Sequence, residues 1–285
     1  MIKLWRIRQA TRRTQHAAAS PGVLAAGSLA ALVVLMVLGL MLLGGRPEAQ
    51  VTLRFRCAAG LQPPIERAVA EYQQQHPQVR IEVDYQGSGT LLESIRVESA
   101  RGMPRSDLYL AADASYIERG REQGLLGEAL PVASQRPVIA VRPGNPKNIH
   151  SLADLTQGDV VYAIADPDGA AIGQVTRQFA QQQGLWAALD RNKKAQVTQV
   201  PELIALMKSG GLYDAVIIWD ANCAQHNALQ AIRLGDGSAG SSDILVAVVA
   251  NTDHQDTAID LARFLASPET GGRHFMAAHY QPPGD

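Results

Sequence analysis

The run Val79-Arg80-Ile81-Glu82-Val83-Asp84-Tyr85-Gln86-Gly87-Ser88-Gly89-Thr90-Leu91-Leu92-Glu93-Ser94-Ile95 changes its period in the middle. Apolar and polar residues alternate from Val79 to Tyr85, the period of a strand, whereas Leu91, Leu92 and Ile95 follow helical spacing. Gly87-Ser88-Gly89-Thr90 is therefore a strand-to-helix corner. Its two glycines let the backbone approach a bound group without Cβ interference, and the Ser88 and Thr90 hydroxyls lie where unpaired amide hydrogens of the first helical turn also point. Such a corner attracts anions. Read alone, it is equally an ordinary capped turn with Ser88 as the N-cap.

The same grammar extends in both directions. Val51 to Cys57 alternates as a strand, Ala58-Ala59-Gly60 turns it, and Pro63-Pro64 stand where a first helical turn tolerates proline. A helix follows to about His76, so the opening is a βαβ unit. Asp107 to Asp113 reads as a third strand, with a helix around Tyr116 to Gln123. After the short apolar strand Pro137 to Val141 and the break Arg142-Pro143-Gly144-Asn145-Pro146, Ser151 caps a short helix and a second series begins. It comprises strands Val160 to Ala165, Ala195 to Thr198 and Ala215 to Trp219. Their turns are Asp166 to Gly173, Gln199 to Glu202 and Asp220 to Cys223. Ile244 to Ala250 is a further apolar strand, and Ala258 to Ala266 and Gly272 to Ala278 are closing helices. Strands each followed by a helix imply an α/β protein with mainly parallel sheets, whose ligands bind beyond the carboxyl ends of the strands.

In 285 residues, Lys+Arg (26) and Asp+Glu (27) almost cancel, which argues against a nucleic-acid surface. The two cysteines, Cys57 and Cys223, lack zinc-site spacing and read as small buried residues. The seven histidines show no paired metal spacing, so no metal or other cofactor is expected. Ser88 lacks a Gly-x-Ser-x-Gly elbow and an evident base, so an enzyme, a hydrolase for instance, is a distant alternative. Asp113 and Asp166 read as turn formers, and Asp220 and Asn222 as helix caps.

Before residue 50 the chain changes character. Lys3, Arg6, Arg8, Arg12 and Arg13 precede an uncharged run from Gly22 to Gly45, and no acidic residue comes before Glu48. As a helix that run covers roughly 35 Å, enough for a hydrocarbon core of about 30 Å. The expectation is an uncleaved transmembrane signal anchor at 22–45, with a basic cytoplasmic segment at 1–21 and the remainder outside.

Taken together, Cys57 to Leu61, Tyr85 to Thr90, Ser106 to Asp113, Val141 to Pro146, Ser151 to Leu155, Ala165 to Pro167, Asp214 to Trp219 and Phe264 to Glu269 resemble the two-lobed (type II) periplasmic substrate-binding proteins of ABC importers. Within that group the match is to the molybdate-binding branch, and it spans Val51 to Tyr280. The resemblance implies two α/β lobes, 51–135 plus 242–285 and 136–241, joined through Pro137 to Val141 and Ile244 to Ala250. It also implies a tetrahedral oxyanion held between them by neutral donors, and delivery of that ligand to an ABC permease by a monomeric soluble region. A membrane-tethered sensor of the same fold is the alternative. By position the ligand-binding residues are Ala59 and Gly60, Ser88 with Gly89 and Thr90, Ala171 and Ile172, Val200 and Trp219. Ala59 and Gly60 stand where many relatives carry a serine. Trp219 replaces a tyrosine, and its indole donates but cannot accept.

Overall fold

The structure, a computed structural model, describes residues 50–102, 106–234 and 240–284 together with Met36. The basic segment 1–21 lies outside the described residues, as does the expected anchor at 22–45 but for Met36. Among the described residues no helix is long and apolar enough to cross a membrane.

The chain from Gln50 onward forms one compact unit built on two five-stranded sheets. In the first, β1 (Val51–Ala58) runs into a 3-10 turn (Ala59–Leu61) and α1 (Gln62–Gln75). Then follow β2 (Val79–Gln86), α2 (Ser88–Ala100), β3 (Leu108–Ala111), α3 (Ala114–Glu122) and β4 (Leu126–Gln135). The second sheet uses β5 (Pro137–Val141), β6 (Tyr162–Ala165), β7 (Ala195–Val197), β8 (Ala215–Trp219) and β9 (Gln230–Arg233). Its helices are α4 (Leu152–Leu155), α5 (Ala171–Gln182), α6 (Trp186–Asn192), α7 (Val200–Lys208) and α8 (Asp220–Ala224). The chain then returns to the first sheet as β10 (Ser242–Val249), followed by α9 (Gln255–Ala266) and α10 (Gly272–Met276).

Strand order is β2-β1-β3-β10-β4 in one sheet and β7-β6-β8-β5-β9 in the other. Both sheets are mixed. The βα units pair in parallel, β1 with β2 and β3, and β6 with β7 and β8. In contrast, β10 runs antiparallel to β3 and β4, and β5 antiparallel to β8 and β9. The expectation of mainly parallel sheets thus misses the strands next to the two passages between sheets. A chain that enters the second sheet directly from β4, with only Arg136 between, has no crossover helix to reverse it, and a parallel partner requires one.

One device pins both sheets. Asp107, just before β3, donates its amide to the Arg54 carbonyl at 2.8 Å, and its carboxylate accepts the Arg54 amide at 2.7 Å. Asp214, just before β8, does the same with Val161, at 2.7 and 2.9 Å. Each carboxylate has another partner as well, Thr252 for Asp107 and Arg142 for Asp214. Each aspartate thereby sets the register between the two strands that carry the ligand-side turns. Asp107→Ala leaves the Arg54 amide without its acceptor and is expected to cost about 1–3 kcal/mol, the usual penalty for an orphaned polar group. In urea the unfolding midpoint should fall with an unchanged slope; an unchanged midpoint would remove the role assigned to Asp107.

Cys57 and Cys223 are both free and buried. Burial pushes the Cys57 thiol well up, and raises Cys223 to about 11.

Candidate functional site

The carboxyl ends of β1, β2 and β3 in the first sheet face those of β6, β7 and β8 in the second across a small enclosed cavity. The cavity leaves about 20 Å³ for the centres of water-sized atoms, somewhat more than the ~10–15 Å³ one water needs. From the first sheet it is walled by Ala58 to Leu61, Gln86 to Ser88 and Ala112. From the second it is walled by Ala170 to Ile172, Gln199, Val200 and Trp219. None of these described residues is ionisable at neutral pH.

Three helices begin at this cavity. The first residues of α2, α5 and α7 are Ser88, Ala171 and Val200, and all three line it. First-turn amides have no intrahelical acceptor, and the N-terminal ends of α2 and α5 carry no side-chain cap. The cavity therefore sits in the positive field of the α2 and α5 dipoles, with amide hydrogens close by, while the start of α7 is closed by a capping box between Gln199 and Glu202.

Ser88 is buried, and its hydroxyl oxygen accepts the Ala112 amide at 3.2 Å. It is the first residue of α2, preceded by Gly87 as N-cap, and it makes no capping bond. The alternative of Ser88 as a simple cap is thereby set aside: the accepted bond comes from the residue just after β3, and the hydroxyl hydrogen is left to donate. The Tyr109 hydroxyl donates to the Ser88 carbonyl at 2.8 Å and fixes the residue in place. Trp219 is buried at the end of β8 and forms a wall.

Of the nine residues expected to bind, the structure brings Ala59, Gly60, Ser88, Ala171, Ile172, Val200 and Trp219 together around this cavity. It does not bring Gly89 and Thr90 there. Their amides donate across to the Gly169 carbonyl, at 3.0 and 3.4 Å, and the two residues border an outer groove of about 670 Å³ with Arg56, Glu93, Asp166 and Asp168. The glycines of the corner serve this approach. A Cβ on Gly87 would lie 2.3 Å from the Gly169 oxygen, and one on Gly89 would lie 2.1 Å from the Asp168 oxygen. The backbone they admit is the protein's own.

The aspartates at these turns are engaged by the protein's own amides and hydroxyls, Asp113 by the Ser242 hydroxyl among them. Asp113 accepts the Ser115 amide, and Asp166 accepts the Asp168 amide at 3.1 Å. Asp220 accepts the Ala221 and Arg136 amides at 2.8 and 2.9 Å. Asn222 departs from the expected capping role. It is buried inside α8, and its Nδ2 donates to the Gly60 carbonyl at 2.8 Å and to the Tyr280 hydroxyl at 3.1 Å, which ties the second sheet to the first. Residue-by-residue reading also passed over Gln86 and Gln199, which meet across the cavity rim at 2.8 Å. The available signal was their place at strand-to-helix corners already singled out.

Sequence comparison gives a protein of Haemophilus influenzae, 20% identical over 224 residues, covering 79% of this chain and 88% of that protein. The molybdate-binding protein ModA of Mycobacterium bovis is 26% identical over 129 residues, which is 45% of this chain and 47% of that protein. Among solved structures, the periplasmic molybdate-binding protein of Azotobacter vinelandii superposes with a TM-score of 0.65 at 17% identity, covering 81% of this chain and 99% of that one. The sulfate-binding protein SubI of Mycobacterium tuberculosis gives 0.66 at 17%, covering 81% and 87%. A periplasmic thiamin binding protein gives 0.69 at 15%, covering 82% and 84%, so the fold alone does not choose a ligand. Residues 53–274 match the family model described as bacterial extracellular solute-binding protein, and the chain belongs to that family.

Proposed function

We propose that the protein captures a tetrahedral oxyanion of the molybdate, tungstate or sulfate kind between its two sheets outside the cytoplasm, and hands it to an ABC importer. The observation that carries this is the convergence of three helix N-termini and the Ser88 hydroxyl on one small cavity without an ionisable wall. Amides and hydroxyls bind such a dianion without a lysine or arginine. Charge-assisted bonds contribute about 1.5–3 kcal/mol each and helix termini roughly 0.3–1 apiece, so four or five donors reach the ~8 kcal/mol of a micromolar complex after ordering costs. The donors are the amides near Ala59, Gly60, Ala171, Ile172 and Val200 with the Ser88 hydroxyl, and Trp219 closes the wall. The lobes are 51–135 with 242–285 and 136–241, hinged at the two passages between sheets, and their closure forms the surface a permease recognises. The chemistry is capture, with no reacting group at the cavity.

Calorimetric titration of the full-length chain with molybdate, tungstate, sulfate, phosphate and small organic acids tests this. Micromolar or tighter binding of an oxyanion is expected, and absence of heat with every oxyanion overturns it. Ser88→Ala should weaken that binding by about 1.5–3 kcal/mol, the value of one charge-assisted bond. Unchanged affinity would reduce Ser88 to an acceptor for Ala112.

A further inference from the structure

Gly60 is the middle residue of the 3-10 turn Ala59–Leu61, whose N-terminal end carries no side-chain cap. A glycine leaves its own backbone angles loosely determined, so a turn centred on one is held in shape from outside. Here the holding group is a closed ring of hydrogen bonds on the Gly60 carbonyl. Tyr280 Oη donates to that oxygen at 2.8 Å, Asn222 Nδ2 donates to it at 2.8 Å, and Nδ2 also donates to Tyr280 Oη at 3.1 Å. The ring uses both lone pairs of the carbonyl and every hydrogen of the amide and the phenol. Both side chains are buried, so water does not compete for these bonds.

The two donors come from opposite sides. Tyr280 stands with the first sheet. Its amide donates to the Phe275 carbonyl at 3.1 Å, its ring meets Phe275 edge-on at 5.6 Å, and the next residue, Gln281, exchanges backbone bonds with Ser134 of β4 at 2.8 and 3.0 Å. Asn222 stands in α8, which follows directly on the cavity wall Trp219 at the end of β8. Gln225, just after α8, adds a bond from its Nε2 to the Ala278 carbonyl at 3.1 Å. The second half presses closely on the turn: a Cβ on Gly60 would lie 3.2 Å from Asn222 Oδ1 and 3.4 Å from Val200 Cβ. Asn222 and Tyr280 do not line the anion cavity, whereas Ala59, Gly60 and Trp219 do.

On the oxyanion assignment made above, we infer that Tyr280 and Asn222 are positioning residues for capture. Tyr280 holds the Ala59–Gly60 turn in the conformation that offers its amides to the guest, and Asn222 latches that turn to the second half as the two close. A guest that orders the Ala59 and Gly60 amides also presents the carbonyl that Asn222 grips. The coupling runs equally in the other direction, so a formed latch raises affinity for the guest.

The test titrates the full-length chain with molybdate and sulfate by calorimetry, follows binding rates by tryptophan fluorescence, and melts the guest-free protein. Asn222→Ala removes both Nδ2 bonds. Affinity for both guests should fall about tenfold to a hundredfold through faster dissociation, with association nearly unchanged, because the latch forms after the guest has entered. Tyr280→Phe keeps the ring and removes one donor, so affinity should fall about threefold to tenfold. A residue that only supports the fold would lower the melting temperature and leave affinity and dissociation rate as they were, and that result in either variant overturns the role given to its residue. A loss at Asn222→Ala carried by slower association overturns the latch, since the bonds would then precede entry. Should Asn222→Ala fail to fold, Asn222→Ser takes its place with the same expectation. All these outcomes leave the oxyanion site standing, whereas an unmodified chain that binds neither guest overturns the site and the positioning role with it.

Discussion

Gly89→Ala should abolish tight ligand binding while leaving the fold as stable as before, or slightly more so. Gly89 is the second residue of α2, where alanine is the better helix former by up to about 1 kcal/mol. The nearest atom to the new Cβ is the Asp168 carbonyl oxygen at 2.1 Å, followed by atoms of Asp168 and Gly169, all backbone from the other sheet. That turn has little freedom to retreat, because the Ala170 amide is bonded to the Asp166 carbonyl at 2.9 Å and the Asp168 amide to the Asp166 carboxylate. The methyl group therefore pushes the two sheets apart at this contact. It also breaks the paired donation of Gly89 and Thr90 to Gly169. A cavity whose donors come from both sides then loses half of them at once. With two or more charge-assisted bonds gone, affinity should drop by at least about a hundredfold, roughly 3 kcal/mol or more. Solution scattering should show a larger radius of gyration with and without the guest, and thermal unfolding of the guest-free protein should be unchanged or slightly higher. Unaltered affinity and scattering would mean that the contact is not needed for closure.

The course of that contact separates what the residues announced from what they left unsaid. Period changes at Tyr85 to Leu91, and repeated strand-turn-helix units, sufficed to place β1, β2, β5 and β8, because each is flanked by a clear glycine, proline or small-residue turn. β4 went unread for a physical reason: with Gly127 and Pro131 in it and no alternation, it looks unlike a strand, and as the edge of its sheet it tolerates both. β9 is also an edge strand, mostly exposed, and carries almost no hydrophobic signal. The antiparallel insertions of β5 and β10 depend on where the chain passes between sheets, which local periodicity does not encode. At the site, the Gly87 to Thr90 corner was readable from its change of period, whereas Ala171, Ile172 and Val200 came from the family resemblance, by position alone. The orientation of each amide was not legible. Gly89 and Thr90 occupy the same corner as Ser88, yet a rotation of one or two residues around the helix turns their amides from the cavity to Gly169. Gln86 and Gln199 were hidden differently, because their role arises only when two chain segments far apart in sequence meet.

Gly173→Ala should disturb the site from within a single sheet and, unlike the change at Gly89, should also cost stability. Gly173 is the third residue of α5, and a Cβ there would lie 2.3 Å from the Asp166 carbonyl oxygen, 2.5 Å from its carbon and 2.6 Å from the Ala165 oxygen. All three are backbone atoms at the end of β6 and the turn after it, so no side chain can rotate aside. The N-terminal turn of α5 must move outward, taking with it the Ala171 and Ile172 amides and straining the Ala170 bond to Asp166. Forced overpacking of this kind costs typically about 1–3 kcal/mol in folding. Displacing the two amides proposed to hold the anion should cost a comparable amount in binding, about tenfold to a hundredfold in affinity. Gly158→Ala is the matching control, since nothing lies within 4 Å of its Cβ position. Denaturant unfolding and oxyanion titration of both variants separate the two effects. A Gly173→Ala protein as stable as its Gly158→Ala counterpart would show that α5 accommodates the methyl group without moving. A destabilised protein with full affinity would show that the Ala171 and Ile172 amides do not hold the guest, leaving Ala59, Gly60, Ser88 and Val200 to carry the site.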